Sequence, residues 1–143
     1  MELYAGYADV TFLAHEYDLH ALEPFDLLYD KDMNRRRDRQ AWRHARKEYK
    51  PLLVVVETEC TDWNIFNENL NYRGKDRMHE LHARRELQYP LVEEGIKACY
   101  DQIYDGNFFL VENPAASRIW ELPRLQELAT RDDVYVVQCH AGA

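Results

Sequence analysis

Apolar and polar residues fall in short blocks along this chain. The clearest is Leu53-Val54-Val55-Val56, four apolar residues, three of them β-branched, set between Pro51 and a polar cluster. That pattern predicts a fully buried strand. Glu2–Ala5 is a shorter apolar stretch that runs into Gly6, and Val10, Leu13 and Ala14 follow at helical spacing over residues 8–16, which reads as strand, glycine turn, helix. Leu19–Leu22 reads as a second strand ending in Glu23-Pro24, and Leu27-Leu28-Tyr29 as a third ahead of Asp30 and Asp32. Asn34 is placed to cap a helix running to about Tyr49, with Trp42, Ala45 and Tyr49 on one face.

Past the central strand, Asn64–Asn71 is rich in asparagine and Gly74 is a break. Residues 75–88 have helical spacing, and Pro90 opens a second helix whose buried face, from Leu91 through Ile96 and Cys99, extends to about Tyr104. Asp105-Gly106-Asn107 is a turn, and Phe108–Val111 is another apolar strand ending in Glu112-Asn113-Pro114. Residues 116–130 are helical with an interruption at Pro123, and Val134–Val137 is a last strand before Gln138-Cys139-His140. This alternation implies one α/β domain over 1–143, a doubly wound, mainly parallel sheet flanked by helices. Ligands of such sheets bind beyond the carboxyl ends of the strands. Glu23, the Glu57–Asp62 cluster with Cys60, and Glu112 are therefore expected to face one cleft.

Composition narrows the picture only in part. A chain of 143 residues can bury roughly two-thirds of the surface it exposes when unfolded, so it needs no staples. Its three cysteines, Cys60, Cys99 and Cys139, have neither paired nor zinc-finger spacing, which points to a reducing, intracellular setting. No apolar run is long enough to span a bilayer, and the start lacks a secretory segment. The net charge of −8 disfavours general nucleic-acid binding. Residues 31–50 nevertheless hold nine of the eighteen Lys and Arg against three acids, Asp32, Asp38 and Glu48. That stretch reads as a solvated helix face or, less readily, as a phosphate contact.

Cys60 is the first candidate for chemistry because it follows the buried strand. Glu57, Glu59 and Asp62 around it disfavour the thiolate, so a cation such as Arg118 has to approach for it to react. Glu57, Glu59, Asp62 and Glu112 also admit a different reading, a divalent-metal site of the nuclease kind. His79 and His82, with no third ligand near in sequence, read as a solvated face. Tyr4, Tyr7, Trp63 and Phe66 suit packing or base stacking, and Ser117-Arg118-Ile119-Trp120 sits at a helix start suited to a phosphate.

The strand ends in this order resemble the catalytic domain of the S-adenosylmethionine-dependent DNA cytosine-5 methyltransferases, a Rossmann-like fold. The family's first turn, Phe-Ala-Gly and further glycines, stands here as Tyr4-Ala5-Gly6-Tyr7-Ala8-Asp9. The acid ending its second strand is matched by Glu23, its Pro-Pro-Cys-Gln loop by Thr58-Glu59-Cys60-Thr61, and its Glu-Asn-Val by Glu112-Asn113-Pro114. The resemblance implies S-adenosylmethionine as cofactor, with Tyr4, Ala5 and Gly6 at its methionine part, Glu23 on the ribose hydroxyls and Asp32 near the adenine. It implies Cys60 as the nucleophile that adds to cytosine, Glu112 as the protonated group on the base, and DNA more than RNA as partner. The chain departs at Ala8, Asp9, Thr58 and Glu59, and it lacks a target-recognition region. Alternatives implied by those departures are a degenerate module that binds nucleic acid or protein, and a partner chain that completes the pocket.

Overall fold

The computed structural model describes residues 1–139, so His140, read as following the last strand, lies outside the described residues. The elements are β1 (Glu2–Leu3), α1 (Asp9–Glu16), α2 (Arg36–Tyr49), β2 (Leu53–Val56), α3 (Ile65–Asn71), α4 (Lys75–Tyr104), β3 (Phe108–Val111) and α5 (Pro123–Ala129). The chain is α/β, with a three-stranded parallel sheet in the order β1-β2-β3. It gathers into two compact units. The first comprises Met1–Glu59 and Gln88–Glu112, the second Cys60–Leu87 and the described residues from Asn113 onward.

The first unit holds the sheet. β2 is its centre, with Val54, Val55 and Val56 at 0%, 1% and 2% exposure, so the β-branched run forms the buried strand its sequence predicts. One face of the sheet meets α4, where Gly95 lies against Val56 and Leu3. On the other face the carboxylate of Glu2, fully buried, accepts the backbone N–H groups of Val10 (3.3 Å) and Thr11 (2.6 Å) and the Thr11 hydroxyl. Those are amides that the first turn of α1 cannot pair internally, and a carboxylate there also suits the helix dipole. Glu2 thus caps a helix that its own N-cap residue, Ala8 at φ 56°, leaves uncapped. Helix α2 joins α4 through Arg43, whose guanidinium forks onto Glu94 (2.8 and 2.5 Å), and through Arg46, which donates to Asp101 (2.9 Å).

Several expectations need correction. Leu19–Leu22 forms no strand, because the main-chain pairing with β1 falls on Phe25 instead. Phe25 N–H donates to Glu2 O (3.0 Å) and Tyr4 N–H to Phe25 O (2.8 Å), a parallel bridge on the outer side of β1. Leu27–Tyr29 is a 3-10 turn rather than a strand, since the Asp26 side chain accepts Leu28 N–H (2.9 Å) and curls the chain. Asn34 does not cap α2; Arg35 holds the N-cap position, and the helix buries Asp38, Trp42 and Arg46 while Tyr49 is exposed. Pro90 does not open a helix but lies inside α4. Its neighbours Val92, Glu94, Gly95 and Ile96 are buried, and that packing outweighs the local cost of an interior proline, about 3 kcal/mol. Residues 116–130 are not one interrupted helix: Arg118–Glu121 is a 3-10 turn, and α5 begins only at Pro123, whose fixed φ fits a first turn. Val134–Val137 forms no strand and exposes Tyr135, Val136 and Val137, and among the described residues no strand lies beside it.

Candidate functional site

A crevice follows from the order of the connections in the first unit. From β1 the chain passes through α1 to Phe25 on one side of that strand, then returns through α2 to β2 on its other side. Connections leaving in opposite directions mark a topological switch point, and ligands of open α/β sheets bind outside the strand ends there. The groups at this place are the Tyr4–Ala8 turn after β1, Asp26 after the Phe25 bridge, and Glu57 after β2, with Glu112 beyond β3. The turn is held by Tyr4, Gly6 and Ala8 at positive φ (60°, 51° and 56°) and by an Ala8 N–H to Ala5 O hydrogen bond of 2.7 Å. Gly6 donates its N–H to Asp26 Oδ2 (3.2 Å). A Cβ placed at Gly6 would meet no atom within 4 Å, so the space before it is open to an approaching group.

The sequence candidates for the cofactor fare differently. Gly6 and Ala5 stand at the crevice. Tyr4 turns its phenol away, donating it to Leu91 O of α4 (2.7 Å), and burial pushes its pKa well above the ordinary tyrosine range. Glu23 is exposed and paired with Lys31 (3.5 Å), three residues before the acid that ends the bridge. The strand-end acid is Asp26, which the sequence pattern conceals because Pro24 looks like the end of a strand. Asp32 accepts Asn34 N–H (2.9 Å) and pairs with Arg35 (3.2 Å), so it shapes the entry to α2. Glu2 is concealed as well, because nothing local distinguishes a buried capping carboxylate from a solvated one.

Glu57 carries the electrostatic signature of the crevice. Partial burial, then the charges of Glu2, Glu112, Asp9 and Asp26, push its pKa up to about 7. A raised carboxylate is bound to its proton in the folded chain while the unfolded chain has already lost it, so stability is full below about pH 4.5 and declines as pH rises toward 7. Glu57→Gln is expected to raise the Tm of the first unit at pH 8 and leave it unchanged at pH 4.5. Because water screens this half-exposed group, the gain at pH 8 is about 1 kcal/mol. Thermal scans at both pH values check this, and an equal shift at both would refute the charge argument.

The other two catalytic candidates lie in the second unit. Cys60 is half-buried and begins that unit, whereas Glu112 ends the first. Of the acids near the thiol, Asp62 is 1% exposed and accepts the Arg84 Nε–H at its two carboxylate oxygens (2.9 and 3.0 Å). Arg118 does not stand free to activate a thiol. It donates to Glu68 (3.1 Å) and Glu121 (2.6 Å), and Arg85 shares Glu68 (2.9 Å). Those bonds, from Arg118 first and Arg85 next, hold the Glu68 carboxyl below the usual range. Trp63 lies under Arg85 (5.6 Å to the ring), and with Met78, His82 and Leu122 these groups line a cleft of about 390 Å³. The helix expected to offer a phosphate site at Ser117–Trp120 is a four-residue 3-10 turn whose Ile119 N–H is taken by Ser117 Oγ (3.3 Å).

The basic stretch is largely spent inside the first unit: Lys31, Arg35, Arg37, Arg43 and Arg46 pair with Glu23, Asp30 and Asp32, Asp38, Glu94 and Asp101. Among the described residues no three His, Cys, Asp or Glu side chains gather to hold a metal ion, His79 and His82 included, and no helix is long and apolar enough to cross a membrane. No family model, no curated protein and no solved structure matches this chain.

Proposed function

We propose that the chain is a Rossmann-like, S-adenosylmethionine-dependent methyltransferase domain of the DNA cytosine-5 kind, with its cofactor at the crevice of the first unit. The observation that carries this reading is the switch point at β1, which brings the Gly6 turn, Asp26 and Glu57 to one edge. Two features favour a cofactor without phosphate. The α1 amides that hold a pyrophosphate in dinucleotide-binding folds are taken here by Glu2. The five carboxylates Glu2, Asp9, Asp26, Glu57 and Glu112 interact through space, and such a field repels phosphate and attracts a cation. S-Adenosylmethionine has a ribose, an ammonium and a sulfonium and supplies an electrophilic methyl group. Asp26 replaces Glu23 as the acceptor for the ribose hydroxyls, Gly6 leaves room for the methionine part, and Glu57 faces the positive end.

On the substrate side the roles rest on the resemblance. The Cys60 thiolate adds to carbon 6 of a flipped-out cytosine, which makes carbon 5 nucleophilic. The resemblance sets Glu112 at ring nitrogen 3, where it would take up a proton only on binding the base and donate it as a hydrogen bond that stabilises the adduct. Carbon 5 gains the methyl group that S-adenosylmethionine held at the Gly6 turn would supply, the sulfonium leaving as the neutral thioether; loss of the carbon 5 proton to solvent then expels the Cys60 thiolate and restores the ring. A second reading, a module that binds cofactor or nucleic acid without turnover, is favoured by Arg118, whose charge is committed to Glu68 and Glu121.

Calorimetric titration with S-adenosylmethionine and S-adenosylhomocysteine tests the reading. Binding of both is expected, tighter for the cationic form, and Asp26→Ala is expected to weaken both roughly tenfold to a hundredfold, the worth of hydrogen bonds to a charged acceptor. Glu23→Ala is expected to change neither. No heat with either ligand overturns the cofactor site. Binding without methyl transfer to cytosine-containing DNA assigns the second reading.

A further inference from the structure

β3 ends the sheet, and its sequence does nothing to guard that edge. Edge strands are usually protected by Lys, Pro, a bulge or a covering element. Phe108-Phe109-Leu110-Val111 has no charge and no proline, and it pairs with β2 in unbroken register. Phe108 N–H donates to Leu52 O (2.8 Å) and Glu112 N–H to Val56 O (3.0 Å), so the alternate residues Phe109 and Val111 aim their backbone groups away from β2. Phe108 and Leu110 share one face of the sheet and are 64% and 51% exposed.

We propose that β3 is a self-association edge, through which two copies of this chain join antiparallel about a two-fold axis at Phe109. The backbone pattern and the side chains select this register together. Residues directly opposite in an antiparallel pair point to the same face, so a two-fold can centre on Phe109 or on Leu110. Centred on Phe109, the two Phe109 residues exchange both of their hydrogen bonds, and each Val111 N–H reaches Asn107 O of the other copy. Phe108 then lies against Leu110 of the second copy, twice, as the close, non-hydrogen-bonded pairs. Glu112 falls opposite Gly106, so no carboxylate faces another. Centred on Leu110, Phe108 would instead face the Glu112 carboxylate. The fit is isologous, as a two-fold dimer requires. A contact confined to Asn107–Val111 of each chain is small, so the dimer is expected to be weak and concentration-dependent.

Sedimentation of the full chain over a wide concentration range, with two single variants and their mixture, tests this. Phe108→Glu and Leu110→Lys change exposed positions, and each alone is expected to weaken dimerisation roughly tenfold by placing a charge against an apolar side chain. Mixing the two is expected to restore association as a heterodimer. The introduced carboxylate of one variant then meets the introduced ammonium of the other on one side of the axis, and Leu110 meets Phe108 on the other side. That recovery also shows that both variants are folded. Wild-type chain that stays monomeric throughout overturns the proposal, as does a dimer indifferent to both variants. Loss in each variant without recovery on mixing rejects the register, and a dimer broken instead by Val136→Lys gives the contact to the exposed 134–137 segment.

Discussion

Trp42→Ala is expected to destabilise the first unit by about 3–5 kcal/mol, the usual loss for truncating a fully buried large aromatic. Trp42 is 0% exposed, and its ring meets Phe25 edge-on at 5.2 Å while the Arg46 guanidinium lies 5.1 Å from its centroid. Phe25 is the residue that bridges β1, so Trp42 supports, from α2, the backbone that places Asp26. Urea unfolding followed by far-ultraviolet circular dichroism measures the loss without relying on tryptophan emission, which the substitution itself changes. Trp42→Phe is expected to cost less, since the indole Nε1 makes no hydrogen bond and only volume is removed. A loss under about 1 kcal/mol for Trp42→Ala would mean that the site collapses freely and that Phe25 is held by its backbone alone.

The parts of the fold legible in the sequence are those fixed by local rules. The β-branched run at Leu53–Val56, the helical spacing of 9–16 and 36–49, and the apolar run of β3 each follow from residues within one turn or strand. The parts that were not legible depend on a partner far along the chain. Which residue pairs with β1 is decided by where the chain returns after α1, and Phe25 wins over Leu19–Leu22 though both are apolar. Pro90 looks like a boundary, yet the packed residues after it keep α4 continuous. Val134–Val137 has strand composition, but a strand needs a neighbour as well as a propensity.

The candidate site divides the same way. Gly6 is legible because a glycine after a strand has few other uses. Glu23 stands three residues short of the strand-end acid because Pro24 reads as punctuation, while Asp26 lies past it in a stretch with no periodicity. The charged residues of 31–50 can be counted in the sequence but not paired. Arg43 reaches Glu94, a buried carboxyl; burial pushes that group's pKa upward, and the Arg43 hydrogen bonds together with the charges of Arg43, Arg46 and Lys97 more than offset it, so it titrates below the usual range. Sequence spacing carries no trace of such a contact, fifty-one residues apart. A segment that looks like a phosphate-binding surface is therefore, at Arg43 and Arg46, an internal fastening of α2 to α4.

Gly95 is the position where the smallest change is expected to travel to the crevice. Alanine ordinarily stabilises a helix interior by about 1 kcal/mol over glycine, but a Cβ at Gly95 would lie 2.6 Å from Val56 Cγ1 and 3.9 Å from Leu3 Cδ2. Val56 is buried on the central strand and stiff about χ1, so it cannot swing aside cheaply. The overlap is expected to cost about 1–3 kcal/mol, enough to outweigh the gain in propensity, and Gly95→Leu is expected to abolish folding of the first unit. Because Val56 precedes Glu57, its displacement should also lower cofactor affinity if the crevice is the binding site. A double-mutant cycle isolates the contact: Val56→Ala removes Cγ1, so adding Gly95→Ala to it should cost nothing further and restore the helix gain. Strict additivity of the two substitutions in chemical denaturation would show that α4 and β2 part to admit a methyl group, and that close approach at Gly95 does not set the position of Glu57.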